Sequence, residues 1–160
     1  MRIVLSVELK RLQDDEIEWF VDELWAPAQQ EMAGEKRYTL KEEIREPGTA
    51  FNRSHLSNDD AIAYLAYRSD TPIGYVTAQI QTPPPMVEQI RECHIIELFV
   101  KEDARRQGVA TELLSKVENW ARTQDSEYVK LMVKSDNHGA IDLYELEGYE
   151  NNRQSMYKPL

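Results

Sequence analysis

Apolar residues recur along this chain with two different periods. Residues 2–9 (RIVLSVEL) carry Ile3, Val4, Leu5 and Val7 and predict a strand. Asp14, Asp15 and Glu16 then place acids where a helix dipole favours negative charge. Ile17, Phe20, Val21 and Leu24 follow at i, i+3, i+4 and i+7, the apolar face of a helix that Pro27 is expected to close or kink. Thr39-Leu-Lys-Glu42 has the form of a capping box and predicts a short helix from Leu40 to Glu46, stopped by Pro47. Residues 48–60 are polar and read as loop. Ala61–Arg68 and Ile73–Gln81 are β-rich runs joined by Ser69-Asp-Thr-Pro72, a hairpin signal. Pro83, Pro84 and Pro85 mark a stiff connection, since proline cannot sit in a central strand. Residues 93–100 (CHIIELFV) read as a buried strand and Tyr128–Val133 as another. Between them Val109, Leu113, Val117, Trp120 and Ala121 share a helical face. Asn137 is placed to cap a last helix carrying Ala140, Leu143 and Tyr144, and Gly148 to end it. Residues 154–158 (QSMYK) predict a final strand.

This order implies one α/β domain over residues 1–160. Consecutive strands in the middle imply antiparallel pairs. The strand–helix–strand unit at 93–133 needs a crossover and implies a parallel one. A mixed sheet with helices on both faces packs these elements. The 160 residues suffice for a core without staples, and 41% are hydrophobic, which excludes general disorder. The single cysteine, Cys93, excludes an internal disulfide and a cysteine zinc site. Three scattered histidines, His55, His94 and His138, make no metal motif. With 19 Lys plus Arg against 29 Asp plus Glu, the net charge of −10 argues against a nucleic-acid binder. No run is long and apolar enough to span a bilayer, and the start lacks a signal core, so a cytoplasmic protein away from membranes is expected.

One junction carries chemistry. Leu98-Phe99-Val100 ends a strand, Arg105-Arg106-Gln107-Gly108-Val109-Ala110 follows, and a helix begins. Unpaired N–H groups at a helix start attract anions, Gly108 and Ala110 leave room for close approach, and Arg105 and Arg106 add charge. These features suit a diphosphate. An ordinary loop-to-helix junction with two solvated arginines accounts for the same residues. The spacing is neither a Walker motif nor a dinucleotide fingerprint.

The segment resembles the pyrophosphate loop Q/R-x-x-G-x-G/A of the GNAT superfamily of acetyl-CoA-dependent N-acetyltransferases, preceded by the family's L-x-V strand end. A second signature, N-x-x-A-x-x-L/F-Y-x-x-x-G-F/Y, is met at every fixed position by Asn137, Ala140, Leu143, Tyr144, Gly148 and Tyr149. The motifs cover residues 93–150; residues 1–92 agree only in the order of elements. One departure is Lys101-Glu102, where the family often has a proline two residues after the valine.

The resemblance implies a mostly antiparallel mixed sheet of six to seven strands, with 1–92 as the acceptor-side half and 93–150 as the acetyl-CoA half. It implies direct acetyl transfer from acetyl-CoA, without a metal, to a small-molecule or peptide amine; a homodimer is compatible with it. Cofactor contacts would come from Leu98, Phe99, Val100, Arg105, Arg106, Gln107, Gly108, Val109, Ala110, Thr111, Asn137, Ala140 and Tyr144. Tyr144 stands at the position of the family's general acid, and a phenol with a pKa of about 10 stays protonated as an acid must. For the base, Glu97 is an acid in an apolar strand, where burial would raise its pKa. His94 has a better-matched pKa but lies on the opposite face of a regular strand, unless a bulge resets the parity. Glu97 paired with an arginine, His94 as a structural histidine and Asn137 as a plain cap are the structural alternatives. Trp25-Ala-Pro27 is a candidate wall of the acceptor site. A non-catalytic acyl-CoA sensor of the same fold is the alternative from another functional class.

Overall fold

A computed structural model describes residues 6–160 except Lys36 and Gln89. Of the strand expected at 2–9, residues 1–5 lie outside the described residues; the strand observed, β1, is Glu8–Arg11. The helical stretch that follows starts with a 3-10 turn at Asp14–Glu16. It continues through α1 (Ile17–Phe20), a π turn at Val21–Trp25 and α2 (Ala26–Met32). Pro27 therefore does not close the helix. The wide π turn ends just before it, with the Ala26 N–H reaching back to the Val21 carbonyl, and Pro27 sits in the first turn of the next α-helical stretch.

The second helix also differs from expectation. Residues 39–44 are not helical, and α3 runs Arg45–Leu56 through the segment read as loop. Its start is capped by the Glu43 carboxylate, whose Oε1 accepts from the Arg45 and Glu46 amides at 2.6 and 3.2 Å. Pro47 falls in the opening turn, where no backbone donor is needed, so it starts this helix rather than stopping one. Arg45 fixes α3 to the preceding helical run by two bonds to Asp22, at 2.8 and 3.1 Å.

Strands β2 (Ala61–Arg68) and β3 (Thr71–Gln81) form the expected hairpin. Ser69 and Asp70, with φ of 48° and 66°, make a two-residue turn whose twist matches the strands. β4 (Glu92–Val100), α4 (Val109–Thr123), β5 (Tyr128–Leu131) and α5 (His138–Leu146) complete the order. The sheet runs β1-β2-β3-β4-β5, antiparallel except for the parallel β4–β5 pair. Among the described residues it has five strands, against the six to seven expected. Gln154–Lys158 form no strand: Met156 and Tyr157 are 92% and 67% exposed, so no apolar face holds the segment against the sheet.

Each sheet face has its own core. Val76, Ala78, Ile80, Cys93 and Ile95 pack against Val109, Leu113, Leu114 and Val117 of α4. Ala63, Leu65 and Tyr75 pack on the other face against Ile17, Phe20, Val21 and Leu24. α3 lies so close to this second layer that a Cβ on Gly48 would fall 2.3 Å from the Trp25 ring. Gly48→Ala should therefore displace that indole and cost about 1–3 kcal/mol of stability, measured by urea denaturation.

Candidate active site

The register of β3 against β4 shifts between Thr77, opposite Glu97, and Ala78, opposite Ile95. Ile96 is the extra residue of a β-bulge and is 37% exposed. The bulge puts Glu97 on the face carrying Tyr75 and Phe99, beneath α2 and α3. It also puts His94, opposite Gln79, on that same face, which regular alternation forbids.

Only Glu97 reaches a cavity there. Its Oε1 accepts from Trp25 Nε1 at 3.3 Å, and its Oε2 from Gln29 Nε2 at 3.1 Å and from the Tyr75 hydroxyl at 2.5 Å. Gln29 is in turn held by the Tyr38 hydroxyl, which donates to its Oε1. Two carboxylate oxygens offer about four acceptor positions. Three are filled, leaving one on Oε1. Burial raises the Glu97 pKa above the ordinary carboxylate value, while the three donors pull it down without cancelling the rise. The Tyr75 phenol is driven well above its usual range by burial and by the carboxylate beside it, so it remains a donor. Glu97 and Trp25 line an open cavity of about 490 Å³ together with Tyr38, Ile44 and Phe51. His94 is not at this cavity; its Nδ1 lies 3.2 Å from Gln81 Nε2, and burial first, then Lys130, lower its pKa.

The parallel β4–β5 pairing stops at Ile95–Leu131. Beyond it, the outer edge of Glu97, Leu98, Phe99 and Val100 has no strand beside it among the described residues. Past that edge Gly108, at φ 85°, forms the N-cap of α4 with no side chain capping the first turn. The N–H groups of Val109, Ala110 and Thr111 belong to that turn and are the orphan donors of a helix start. The neighbouring arginines differ. Arg106 is exposed at φ 59°. Arg105 is already engaged: its Nε donates to the Val100 carbonyl at 2.8 Å and its Nη2 to Glu31 at 2.5 Å. Gln107 braces the loop through Asp103 O at 3.1 Å, and the Thr111 hydroxyl donates to Glu147 at 3.0 Å.

The Thr111–Glu147 bond sets the end of α5 beside the first turn of α4. The Asn137 side chain caps it by accepting from the Ala140 amide at 3.2 Å. Asn137, Ala140 and Tyr144 are spaced to share one helical face. Tyr144 packs on Tyr149 with ring centroids 5.9 Å apart, and burial pushes its phenol pKa up. Gly148 at φ 94° ends the helix, with the Tyr149 amide bonded to the Tyr144 carbonyl at 2.9 Å.

Comparison with known proteins decides the family. The model of the acetyltransferase (GNAT) family matches residues 16–149. The chain belongs to this family. The GNAT match extends across the first-half helices and the hairpin, well beyond the two motifs. An N-alpha-acetyltransferase of Saccharolobus solfataricus is 26% identical over 134 residues, 75% of this chain and 73% of that protein. In structure, the fold superposes on the aminoglycoside N-acetyltransferase AAC(6')-Iy in complex with CoA, with TM-score 0.74 and 14% identity, over 97% of this chain and 95% of that one. It also superposes on a predicted acetyltransferase of Clostridium acetobutylicum solved with acetyl-CoA, with TM-score 0.77 and 15% identity, over 96% of each chain. The protein is an acyltransferase of GNAT type.

Sequence reasoning missed Gln29, Tyr75 and Tyr38. Gln29 had a usable signal: it lies one turn after Trp25 on the apolar face, yet it is polar and only 3% exposed. Tyr75 carried no signal until its register opposite Phe99 was known.

Two expectations follow. Trp25→Phe removes one donor from the charged form of Glu97, so the Glu97 carboxyl should titrate at higher pH than in the wild type, by carbon-detected NMR. Gly108→Glu combines a strained backbone with a charge at the helix start. It should weaken CoA binding at least about tenfold in calorimetry, whereas unchanged affinity would remove the loop as the phosphate site.

Proposed function

We propose that this protein transfers the acetyl group of acetyl-CoA directly to a primary amine, with Glu97 as general base and Tyr144 as general acid. The observation that carries this reading is the Glu97 carboxylate: held by three donors, it keeps one acceptor position and lines the cavity beside the unpaired edge of β4.

The amine must lose a proton to attack. Its nitrogen forms a bond to the thioester carbon, the carbon–sulfur bond breaks, and the thiolate of CoA leaves. Glu97 takes the ammonium proton on the vacant side of Oε1, directly or through one water, and passes it to solvent; the second nitrogen proton, released as the amide forms, leaves by the same route. Tyr144 gives a proton to the departing sulfur and is reprotonated from solvent. The amides of Leu98, Phe99 and Val100 run along the open edge, where pantetheine amides would pair as an added strand. The diphosphate would lie on the first turn of α4, with Arg106 as its free cation and Arg105 holding the loop to α2. The Asn137 amide nitrogen would contact the pantetheine arm, and Ala140 would leave room for it.

The test follows CoA thiol release. Glu97→Gln should lower kcat/KM about 100-fold or more. In the wild type the rate should fall as pH drops through the Glu97 pKa, because a base must be ionised. Burial raises that pKa, so the fall begins at higher pH than an ordinary carboxylate would give. Glu97→Gln should lose this acid limb. Tyr144→Phe should lower kcat about tenfold or more, with acetyl-CoA affinity little changed. Full turnover in both variants would sink the assignment. Tight CoA binding without turnover of any amine would mark a sensor instead.

A further inference from the structure

Resting on the acetyl-transfer reading, the structure assigns a substrate class to the cavity above Glu97: we infer that the acceptor is a primary amine carried on an apolar body, not a polyhydroxylated or multiply charged amine. The cavity wall is built from Trp25, Leu40, Ile44, Pro47 and Phe51. Among the described residues Glu97 is the single acid lining it, and Lys41 the single lining cation. One carboxylate can accept from one ammonium or amine group. A second cationic centre on the same molecule would meet Lys41 and no further carboxylate.

Hydroxyl groups fare no better. Of the uncharged polar side chains lining it, Gln29 has both ends of its amide engaged, Nε2 on Glu97 and Oε1 under the Tyr38 hydroxyl, and the Thr39 hydroxyl donates to the Glu35 carbonyl at 3.4 Å. The Trp25 indole N–H is likewise engaged by Glu97. A sugar ring entering here would surrender its water without regaining those bonds, a loss that apolar sites cannot offset. An aryl or alkyl group loses nothing and gains the aromatic walls.

Phe51 supports the same conclusion from the mouth. It is 52% exposed although its ring centroid lies 6.4 Å from that of Trp25. α3 carries it one turn beyond Pro47 and Gly48, on the side facing the cavity. Folding leaves this ring half uncovered, and an apolar substituent seated against Trp25 would cover it.

The amine could belong to a free arylalkyl or alkyl amine, or to the first residue of a peptide beginning with an apolar side chain. The recognised group is the same in both, and the assay separates the sources. CoA release by the wild-type chain is measured with 2-phenylethylamine, with a tetrapeptide amide beginning Met or Phe, with ethanolamine, with spermidine and with neamine. One or both apolar arms should exceed the last three in kcat/KM by about tenfold or more. Phe51→Ser, at an exposed position, should raise KM for the apolar acceptors severalfold, and by a clearly larger factor than it raises KM for ethanolamine. Preference for neamine or spermidine would overturn this inference and leave acetyl transfer standing. An equal effect of Phe51→Ser on all acceptors would overturn it as well. No turnover with any amine would remove the acetyl-transfer reading, and this inference with it.

Discussion

A single extra residue in β4 organises the molecule. Without the bulge at Ile96, strict alternation would place either His94 or Glu97 on the side of α2 and α3, not both. With it, Glu97 turns beneath Trp25 and Gln29, and Tyr75 comes into register to complete its donors. The same region is where β5 leaves β4 after four paired residues. One local irregularity thus coincides with both halves of the site: a carboxylate on one face of the sheet and an open backbone edge beside it.

The Glu97 environment is a compromise between two opposing effects. Burial alone would favour the neutral acid, and three well-placed donors favour the ion. Were the donors absent, burial would shift the carboxyl further toward its neutral form. Were a cation paired with it, the charged form would be favoured further and the carboxylate would be a weaker base. Neutral donors from an indole, an amide and a phenol lie between these limits. Two ion pairs hold the frame around the opening. Arg105 ties the loop before α4 to Glu31, and Lys134 ties the loop after β5 to Glu35 at 3.2 Å. Both pairs are partly exposed, so their value lies in setting positions more than in adding stability.

What the sequence disclosed was mostly local. The turn at Ser69 and Asp70, the apolar face of α4, the Asn137 cap and the Gly148 end are each written in a few neighbouring residues. The family signatures sit on those same segments. What stayed hidden depended on distant partners. The start of α3 rests on Glu43 and on the Asp22–Arg45 pair, so the Thr39 box, though well formed as a pattern, was not used. Pro27 passed through a helix because a π turn precedes it. Gln154–Lys158 has strand character by composition but no surface to bury it. Arg105 looked free in sequence, since nothing there shows that Glu31 and the Val100 carbonyl already occupy it. The bulge itself was legible only as a condition on the choice of base.

The last eleven residues add a practical consequence. They run without regular structure, yet the Tyr157 ring stacks on the Arg37 guanidinium, 3.5 Å from centroid to carbon. Arg37 adjoins Tyr38, which lines the cavity beside Glu97 and steadies Gln29. The segment around Tyr157 is thereby moored beside the entrance of that cavity. A bulky group attached to that segment would crowd the entrance. The exposed β-turn at Ser69 and Asp70, formed within the chain by two residues of its own, offers a site for a label away from that entrance.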